Sequence, residues 1–255
     1  MKYYEAMVDM GCFSRSDLVN KLNMKASSAA SLLQQYKKKG YIEHVRHDLY
    51  TVISIESKQP VLSRYEIGSC LFPDACVSHH SAFEVYGYAN QVFYEVYVTT
   101  DSRFKAFEYG GITYHRVAPK EPIQIQKVGG VKVTSIEQTA IDSINAFEKI
   151  GGLEELLRCL VLIPSLNEDK LLDALTSHKN GFLYQKAGFL FEQLNASFGL
   201  SDSFFLECKK HVPKADRYLT KDHDSYVLHR AWRLIGPKDV TKLIDKGVSN
   251  YDAIQ

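Results

Sequence analysis

Residues 17–52 read DLVNKLNMKASSAASLLQQYKKKGYIEHVRHDLYTV, and their spacing decides the fold of the N-terminal part of the chain. A helix is predicted over residues 25–39, because apolar residues recur at i, i+3, i+4, i+7 and i+10 before Gly40 ends the pattern. Its predicted inward stripe consists of Ala26, Ala29, Ala30, Leu33 and Tyr36. A β-hairpin is expected next, with strands over residues 41–45 and 49–52.

Two further helices are predicted ahead of this one. The first covers residues 2–10 and ends at Gly11, and the second starts from a cap at Ser14 or Ser16 and runs through Leu22. The resulting order of helix, helix, turn, helix and hairpin is that of a winged helix-turn-helix. We therefore expect an α+β protein whose residues 1–55 form a winged helix-turn-helix DNA-binding domain.

The outward face of the predicted third helix offers short polar and basic side chains, which suit base edges and phosphates in the major groove of DNA. Three lysines end the helix, where they are typical both of phosphate contact and of a helix C-terminus that favours positive charge. An arginine at the hairpin tip is a candidate for the DNA backbone or minor groove. The predicted DNA-binding residues are Lys25, Ser27, Ser28, Ser31, Gln35, Lys37, Lys38, Lys39 and Arg46.

Composition sets limits on these expectations. The 255 residues include 31 Lys and Arg against 30 Asp and Glu, which excludes a uniformly basic coat but leaves room for a local basic patch. The first 50 residues hold eight basic and five acidic side chains. No membrane-spanning run and no secretory signal is predicted, so we expect a cytoplasmic protein. The five cysteines lack a C-x-x-C pair, and we expect no disulfide, metal site or cofactor.

The remainder of the chain predicts a mixed α/β domain over residues 61–250. A helix is expected at 79–86, with Ser78 as its cap and one buried histidine, and hairpins are expected around paired glycines. Later segments read mainly as amphipathic helices. Strands are predicted at residues 204–208 and 227–235 because of their apolar and aromatic content.

One segment of the later chain suggests a different chemistry. Glu207 and Lys209 lie two residues apart on the predicted strand at 204–208, which is part of a pattern used by metal-dependent nucleases. The upstream acid that such a site needs is missing, and alternation on a half-exposed strand explains the pair equally well. No glycine-rich phosphate loop is present. We therefore expect no enzyme activity and no catalytic residue, with a nuclease as an alternative.

Four segments together resemble the AbiEi family of antitoxins. They are the stretch at 17–52 quoted above, ACVSHHSAFEVYGY at 75–88, VGGVKVTSIEQTAIDSI at 128–144 and YQKAGFLFEQL at 184–194. The resemblance runs over nearly the whole chain and rests on the order and spacing of these segments. One departure lies at 184–190, where family members carry an arginine-rich stretch and this chain does not.

The resemblance implies a function in a type IV toxin–antitoxin, or abortive infection, system. The winged helix would act as a transcriptional repressor that binds operator DNA upstream of its own operon. The second, antitoxin-like domain would counteract a nucleotidyltransferase toxin, with which it need not form a stable complex. Two alternatives stay open beside the nuclease: a transcriptional regulator that senses a small ligand, and an interaction module that does not bind DNA.

Overall fold

A computed structural model describes residues 2–221 and 225–245. Of these residues, about 43% are helical and 19% lie in strands, which makes the protein mixed α+β, and the strands form three separate sheets in these ranges. No helix of the described residues has the length and apolar character needed to cross a bilayer.

The N-terminal segment combines three helices with a small antiparallel sheet. Its elements are α1 (Tyr4–Met10), β1 (Cys12–Phe13), α2 (Arg15–Leu22), α3 (Ala26–Lys38), β2 (Ile42–Arg46) and β3 (Leu49–Val52). The sheet order is β1-β3-β2, with both pairings antiparallel. The three predicted helices and the hairpin are therefore confirmed, whereas β1 was not predicted because two residues are too short to show alternation.

Local hydrogen bonds explain where these helices begin and turn. Ser14 caps α2 through a reciprocal pair of bonds with Asp17, in which each side chain accepts from the other residue's backbone N–H. Asn23 ends α2 with a left-handed backbone (φ 47°), which an Asn tolerates better than most residues. The helices and the sheet enclose a core of Met7, Phe13, Leu18, Ala29, Leu33, Tyr36, Ile42 and Val52.

A six-stranded mixed sheet forms the centre of the chain. Its elements are α4 (Arg64–Ser69), β4 (Cys76–Val77), α5 (His79–Tyr86), β5 (Glu95–Thr99), β6 (Phe107–Tyr109), β7 (Ile112–Val117), β8 (Ile125–Val128) and β9 (Val131–Thr134). The strand order is β6-β7-β5-β4-β9-β8, with β5–β7 and β4–β9 parallel and the other pairings antiparallel. The two predicted glycine-centred hairpins are β6–β7 and β8–β9.

The last part of the chain is a helical layer with a three-stranded sheet. Its elements are α6 (Ile136–Asn145), a short 3-10 helix (Phe147–Lys149), α7 (Leu153–Val161), α8 (Glu168–Ser177), α9 (Gly181–Gln193), α10 (Asn195–Phe198), α11 (Asp202–Lys210), β10 (Arg217–Tyr218), β11 (Val227–His229), β12 (Leu234–Gly236) and α12 (Thr241–Asp245). The sheet order is β10-β12-β11. Helix α6 packs against both α5 and α8, and α5 packs against β5 of the central sheet.

Two predicted strands in this part are wrong. Residues 204–208 lie inside α11, where Ser201 caps the helix and the apolar side chains of Phe204 and Cys208 fall on one buried face at i and i+4. Residues 227–235 do not form one strand, because the chain turns after β11 and returns as the antiparallel β12. Short apolar runs such as these are compatible with both a strand and a helix, and tertiary packing decides which of the two forms.

The N-terminal segment packs against the central sheet. Val45 on β2 is part of the core that the central sheet covers, and Cys12 and Leu49 pack against the same core. On the surface, the Tyr109 hydroxyl donates a hydrogen bond to the Glu43 carboxylate at 2.7 Å. The boundary predicted between residues 55 and 61 stays a prediction, and the predicted second region extends beyond Asp245, outside the described residues.

Candidate nucleic-acid interface

Helix α3 separates its side chains into a buried and an exposed face. Ala29, Leu33 and Tyr36 are buried against the N-terminal core, and Ala30 is half-buried, as the apolar spacing predicts. Ala26 is exposed, so the predicted inward stripe is one residue too long at its N-terminal end. All eight side chains predicted from this helix and its caps to bind DNA are exposed: Lys25, Ser27, Ser28, Ser31, Gln35, Lys37, Lys38 and Lys39.

Five of these side chains share one groove. The groove has a volume of about 790 Å³ and is lined by Tyr3, Met24, Lys25, Ser27, Ser28, Ser31, Leu32 and Gln35. Within the described part of the chain, the five predicted side chains have no hydrogen-bond or ion-pair partner. Their donors and acceptors are therefore available to an external ligand.

The beginning of α3 adds backbone donors to this groove. Lys25 precedes the helix with an extended backbone, and its side chain makes no capping hydrogen bond. No acidic residue lies in the first turn. Because the first N–H groups of a helix have no partner within it, this end of a 13-residue helix favours an anion such as phosphate.

A second cleft lies between α3 and the β2–β3 hairpin. It has a volume of about 460 Å³ and is lined by Arg15, Ala30, Leu33, Gln34, Lys37, His44, His47, Asp48 and Tyr50. Lys37 is the only lysine of the 37–39 run in this lining. Arg15, at the start of α2, had not been predicted as a site residue. The sequence signal that could have identified Arg15 is its position directly after Ser14, at the predicted start of α2. This start of α2 lies beside α3, so Arg15 lines the same cleft as Lys37.

The acidic groups near this face are held by hydrogen bonds. Asp17 accepts from the backbone N–H of Ser14 at 2.7 Å, and Asp48 accepts from the backbone N–H of Arg15 at 3.2 Å. These bonds keep both carboxylates in local structure, and neither forms an ion pair with a basic side chain among the described residues. The positive charges at the two ends of α3 are therefore not compensated by a paired acid among the described residues, and an external anion can bind them.

His44 on β2 is the titratable group of the second cleft whose pKa is shifted. Partial burial lowers its pKa first, and the neighbouring positive charges of Lys37 and His47 lower it further. The His44 ring also stands edge-on to Tyr50, with ring centres 5.3 Å apart. At neutral pH the imidazole is therefore uncharged and can donate or accept a hydrogen bond.

Arg46 is the one predicted DNA-binding residue that the structure places elsewhere. Its guanidinium carbon lies 4.5 Å from the ring centre of Phe72, 5.3 Å from that of Phe104 and 5.7 Å from that of Phe107. Burial lowers its pKa, and its Nη1 is buried without a hydrogen-bond partner among the described residues. Arg46 thus fixes the hairpin to the central sheet instead of extending from its tip.

The nuclease-like pair also has a different setting from the one predicted. Glu207 and Lys209 lie on α11, where Glu207 pairs with Lys210 at 2.5 Å and Lys209 pairs with Glu192 at 3.4 Å. The pattern requires these residues on a strand, and the predicted strand at 204–208 is a helix, so this part of the chain does not provide the arrangement on which the nuclease alternative rested. His79 and His80 are both buried, whereas one buried histidine was expected.

The chain was also compared with known proteins. It matches no protein-family model, and no curated protein matches it significantly.

Proposed function

We propose that residues 1–55 form a winged helix-turn-helix that binds double-stranded DNA through α3, with the β2–β3 hairpin as its wing. The observation that carries this proposal is the exposed face of α3, where polar and basic side chains lie together without partners inside the described chain. An ordinary solvated helix face mixes both signs of charge, but α3 carries no acidic residue. The order of elements supports the same proposal.

The two parts of this face would perform different tasks. Ser27, Ser28 and Ser31, with Gln35, lie in the first groove and would contact base edges in the major groove, where hydroxyl and amide groups distinguish base pairs. The run of lysines from Lys37 to Lys39 would contact phosphates, which adds affinity but no sequence information. The N–H groups at the start of α3 would hold one further phosphate.

The resemblance to AbiEi antitoxins supports the wider part of the proposal. On that basis, the chain would bind operator DNA upstream of its own operon and repress it. The region from residue 61 onward would counteract a nucleotidyltransferase toxin encoded alongside. The expected observation is an adjacent nucleotidyltransferase gene whose induction stops growth unless this chain is co-expressed.

Fluorescence anisotropy with two labelled duplexes tests the DNA-binding proposal. One duplex carries the sequence upstream of the gene, and the other carries the same bases scrambled. The wild type should prefer the upstream duplex by about 10³-fold or more, and its affinity should fall steeply with salt. The variant S27A/S28A/S31A should lose most of this preference, whereas K37A/K38A/K39A should reduce the slope of log affinity against log salt by about three.

A matched control distinguishes specific lysines from basic charge in general. The variant K209A/K210A removes two lysines that pair with Glu192 and Glu207, and it should bind like the wild type. Equal and weak binding of the wild type to both duplexes, unchanged in K37A/K38A/K39A, would contradict the proposal. Circular dichroism of each variant confirms that it is folded.

A further inference from the structure

A buried group of potential metal ligands lies where α5 meets α7. His80 is on α5, and Glu155 and Cys159 are one turn apart on α7. Their relative exposures are 1%, 3% and 0%, so all three are inside the protein. None of them takes part in the proposed DNA interface, which lies in the N-terminal segment.

Two of the distances between the three donor atoms match those of a tetrahedral zinc site. His80 Nε2 lies 3.3 Å from Glu155 Oε1, and Cys159 Sγ lies 3.5 Å from the same oxygen. Zinc bonds of about 2.0–2.1 Å to nitrogen and oxygen and about 2.3 Å to sulfur place tetrahedral ligands about 3.3–3.6 Å apart. The three ligand atoms all lie within 4.8 Å of one another, so an ion bound to Glu155 Oε1 has the other two donors beside it.

The surroundings of His80 are those of a metal-binding histidine. Its Nδ1 lies 2.8 Å from Glu84 Oε1, and its ring stacks on Phe93 with centres 3.9 Å apart. Glu84 is itself held by Arg64 and by the backbone N–H of Phe93. Because His80 Nε2 also faces a carboxylate, a metal would replace the proton on Nε2, while Glu84 keeps the other proton on Nδ1.

The loop that precedes β5 supplies hydrogen bonds to Glu155. The backbone N–H of Gln91 donates to Glu155 Oε1 at 3.1 Å, and the side-chain amide of Asn90 lies 3.3 Å from Glu155 Oε2. Such donors stabilise the carboxylate, which is the form that binds a metal. Burial and the nearby Glu155 carboxylate raise the pKa of the Cys159 thiol, so a metal bound here has to displace the thiol proton.

The charges of the site also suit a divalent ion. Arg64 pairs with Glu84, and Glu84 and Glu155 are the two acids of this group. A divalent ion would displace the Cys159 thiol proton and the His80 Nε2 proton, so its two charges replace those of two protons and the net charge of the buried group does not change. Thiolate and imidazole ligands favour zinc and cobalt over magnesium and calcium, which prefer oxygen.

We propose that His80 Nε2, Glu155 Oε1 and Cys159 Sγ bind one Zn²⁺ ion that joins α5 to α7. Three protein ligands leave a fourth position, which a water can occupy. The ion would connect the central sheet, on which α5 packs, to α7 in the helical layer. The sequence carries a signal for this site in the i, i+4 spacing of Glu155 and Cys159, which places both on one helix face.

Metal binding to the untagged full-length chain tests this inference. The protein is stripped with a chelator, dialysed, and titrated with Zn²⁺ and separately with Co²⁺. About one equivalent of Zn²⁺ should remain bound after desalting, by elemental analysis. The Co²⁺ complex should show the intense near-ultraviolet absorption of a thiolate–cobalt bond. Zn²⁺ should also raise the melting temperature of the wild type.

Variants assign the ligands. Cys159→Ser should lose the thiolate–cobalt absorption and the Zn²⁺-dependent rise in melting temperature. Glu84→Gln, which changes the carboxylate beside His80 Nδ1 without removing a ligand, should bind Zn²⁺ about 10–100-fold more weakly. Cys208→Ser is the matched control, because Cys208 is equally buried in α11 and lies outside the group, and it should behave like the wild type.

The wild-type measurement decides the question even where a variant fails to fold. Less than about one tenth of an equivalent of bound Zn²⁺, or a Co²⁺ complex without thiolate absorption, would overturn the inference. A thiolate absorption that is retained in Cys159→Ser, or lost in Cys208→Ser, would also overturn it, because another cysteine would then be the ligand.

Discussion

Two runs of basic residues in this chain look alike in the sequence but differ in the structure. Residues 37–39 at the end of α3 are Lys-Lys-Lys, and residues 209–211 at the end of α11 are Lys-Lys-His. The first three side chains have no ion-pair partner among the described residues. In the second run, Lys209 pairs with Glu192, while Lys210 and His211 both pair with Glu207.

The difference lies in the acids that surround each run. Glu207 is on the same helix as its partners at i+3 and i+4, which is within reach on a helix face. Helix α3 offers no acid at such spacing. Both runs sit at a helix C-terminus, where positive charge is favoured, so that effect does not separate them. The two runs therefore differ in free charge and not in the number of basic residues, and we propose phosphate contact only for the unpaired lysines of α3.

Trp232 holds the second run in place. Its indole Nε1 donates to Glu192 Oε2 at 2.6 Å, and Lys209 Nζ lies 4.9 Å from the centre of its ring. The indole is buried and packs directly on the backbone of α9 at Gly188. Lys209, Glu192 and Trp232 therefore form one unit that depends on the absence of a side chain at position 188.

Among the substitutions predicted here, Gly188→Ala should have the largest effect on stability, because it disrupts the contacts between Trp232, Glu192 and Lys209. A Cβ at this position would lie 2.1 Å from Cζ3 of Trp232, well inside van der Waals contact, and the indole is too tightly buried to move freely. We expect a loss of about 3 kcal/mol or more in the free energy of unfolding, measured by urea denaturation.

A double-mutant cycle supplies the control for Gly188. In a background with Trp232→Leu, the added methyl group should cost much less, because the clashing ring is absent. Equal costs in the two backgrounds would show that Trp232 does not limit position 188. A loss below about 0.5 kcal/mol for the single variant would contradict the packing described for this site.

Local sequence signals predicted the parts of the fold that depend on local physics. The bounds of α3 followed from its apolar period and from Gly40, and the glycine pairs marked both hairpins of the central sheet. The strand predicted at 204–208 failed because Phe204 and Phe205 suit either element. Their burial in the helical layer, which involves distant residues, decided for a helix.

The site was predictable to the same extent. Exposed residues on α3 could be assigned from their helical positions, because their surroundings are solvent. Arg46 could not be assigned, since its rings come from residues 26 or more positions away in the chain. The group of His80, Glu155 and Cys159 depends likewise on two helices that are far apart in sequence and meet only after folding.

Arg46 sharpens the comparison, because it is a basic residue of the N-terminal segment that should behave like the paired ones. Arg46→Ala removes the guanidinium from three aromatic rings and should lower the free energy of unfolding by about 2 kcal/mol. The salt dependence of DNA binding should not change. Chemical denaturation and anisotropy titrations measure the two quantities.

Lys37→Ala is the matched control for Arg46, and it should give the opposite pattern. Its unfolding free energy should stay within about 0.5 kcal/mol of the wild type, because Lys37 is exposed and unpaired. Its slope of log affinity against log salt should fall by about one. A lower slope with unchanged stability in Arg46→Ala would restore Arg46 to the DNA interface.

The smallest expected effect concerns the charge of the cleft between α3 and the hairpin. His44 has a pKa below the ordinary value of 6.5, so it carries no charge at pH 7.5 and gains one only in more acidic solution. A DNA phosphate bound near Lys37 would attract the positive charge of a protonated His44. The ratio of wild-type to His44→Gln DNA affinity should therefore stay near one at pH 7.5 and rise by at most about threefold as the pH falls below 6.5.

The free protein should show the opposite dependence on pH. Because the pKa of His44 is lower in the folded state than in the unfolded state, the unfolded chain binds this proton more tightly. The stability that His44 contributes is complete above the unfolded pKa and is lost as the pH falls below it. Acid should thus weaken folding while it strengthens DNA binding, and His44→Gln should reduce both trends. If the variant and the wild type keep the same ratio of DNA affinities from pH 5.5 to 7.5, His44 does not face the phosphate backbone, and the wing contacts DNA from another side.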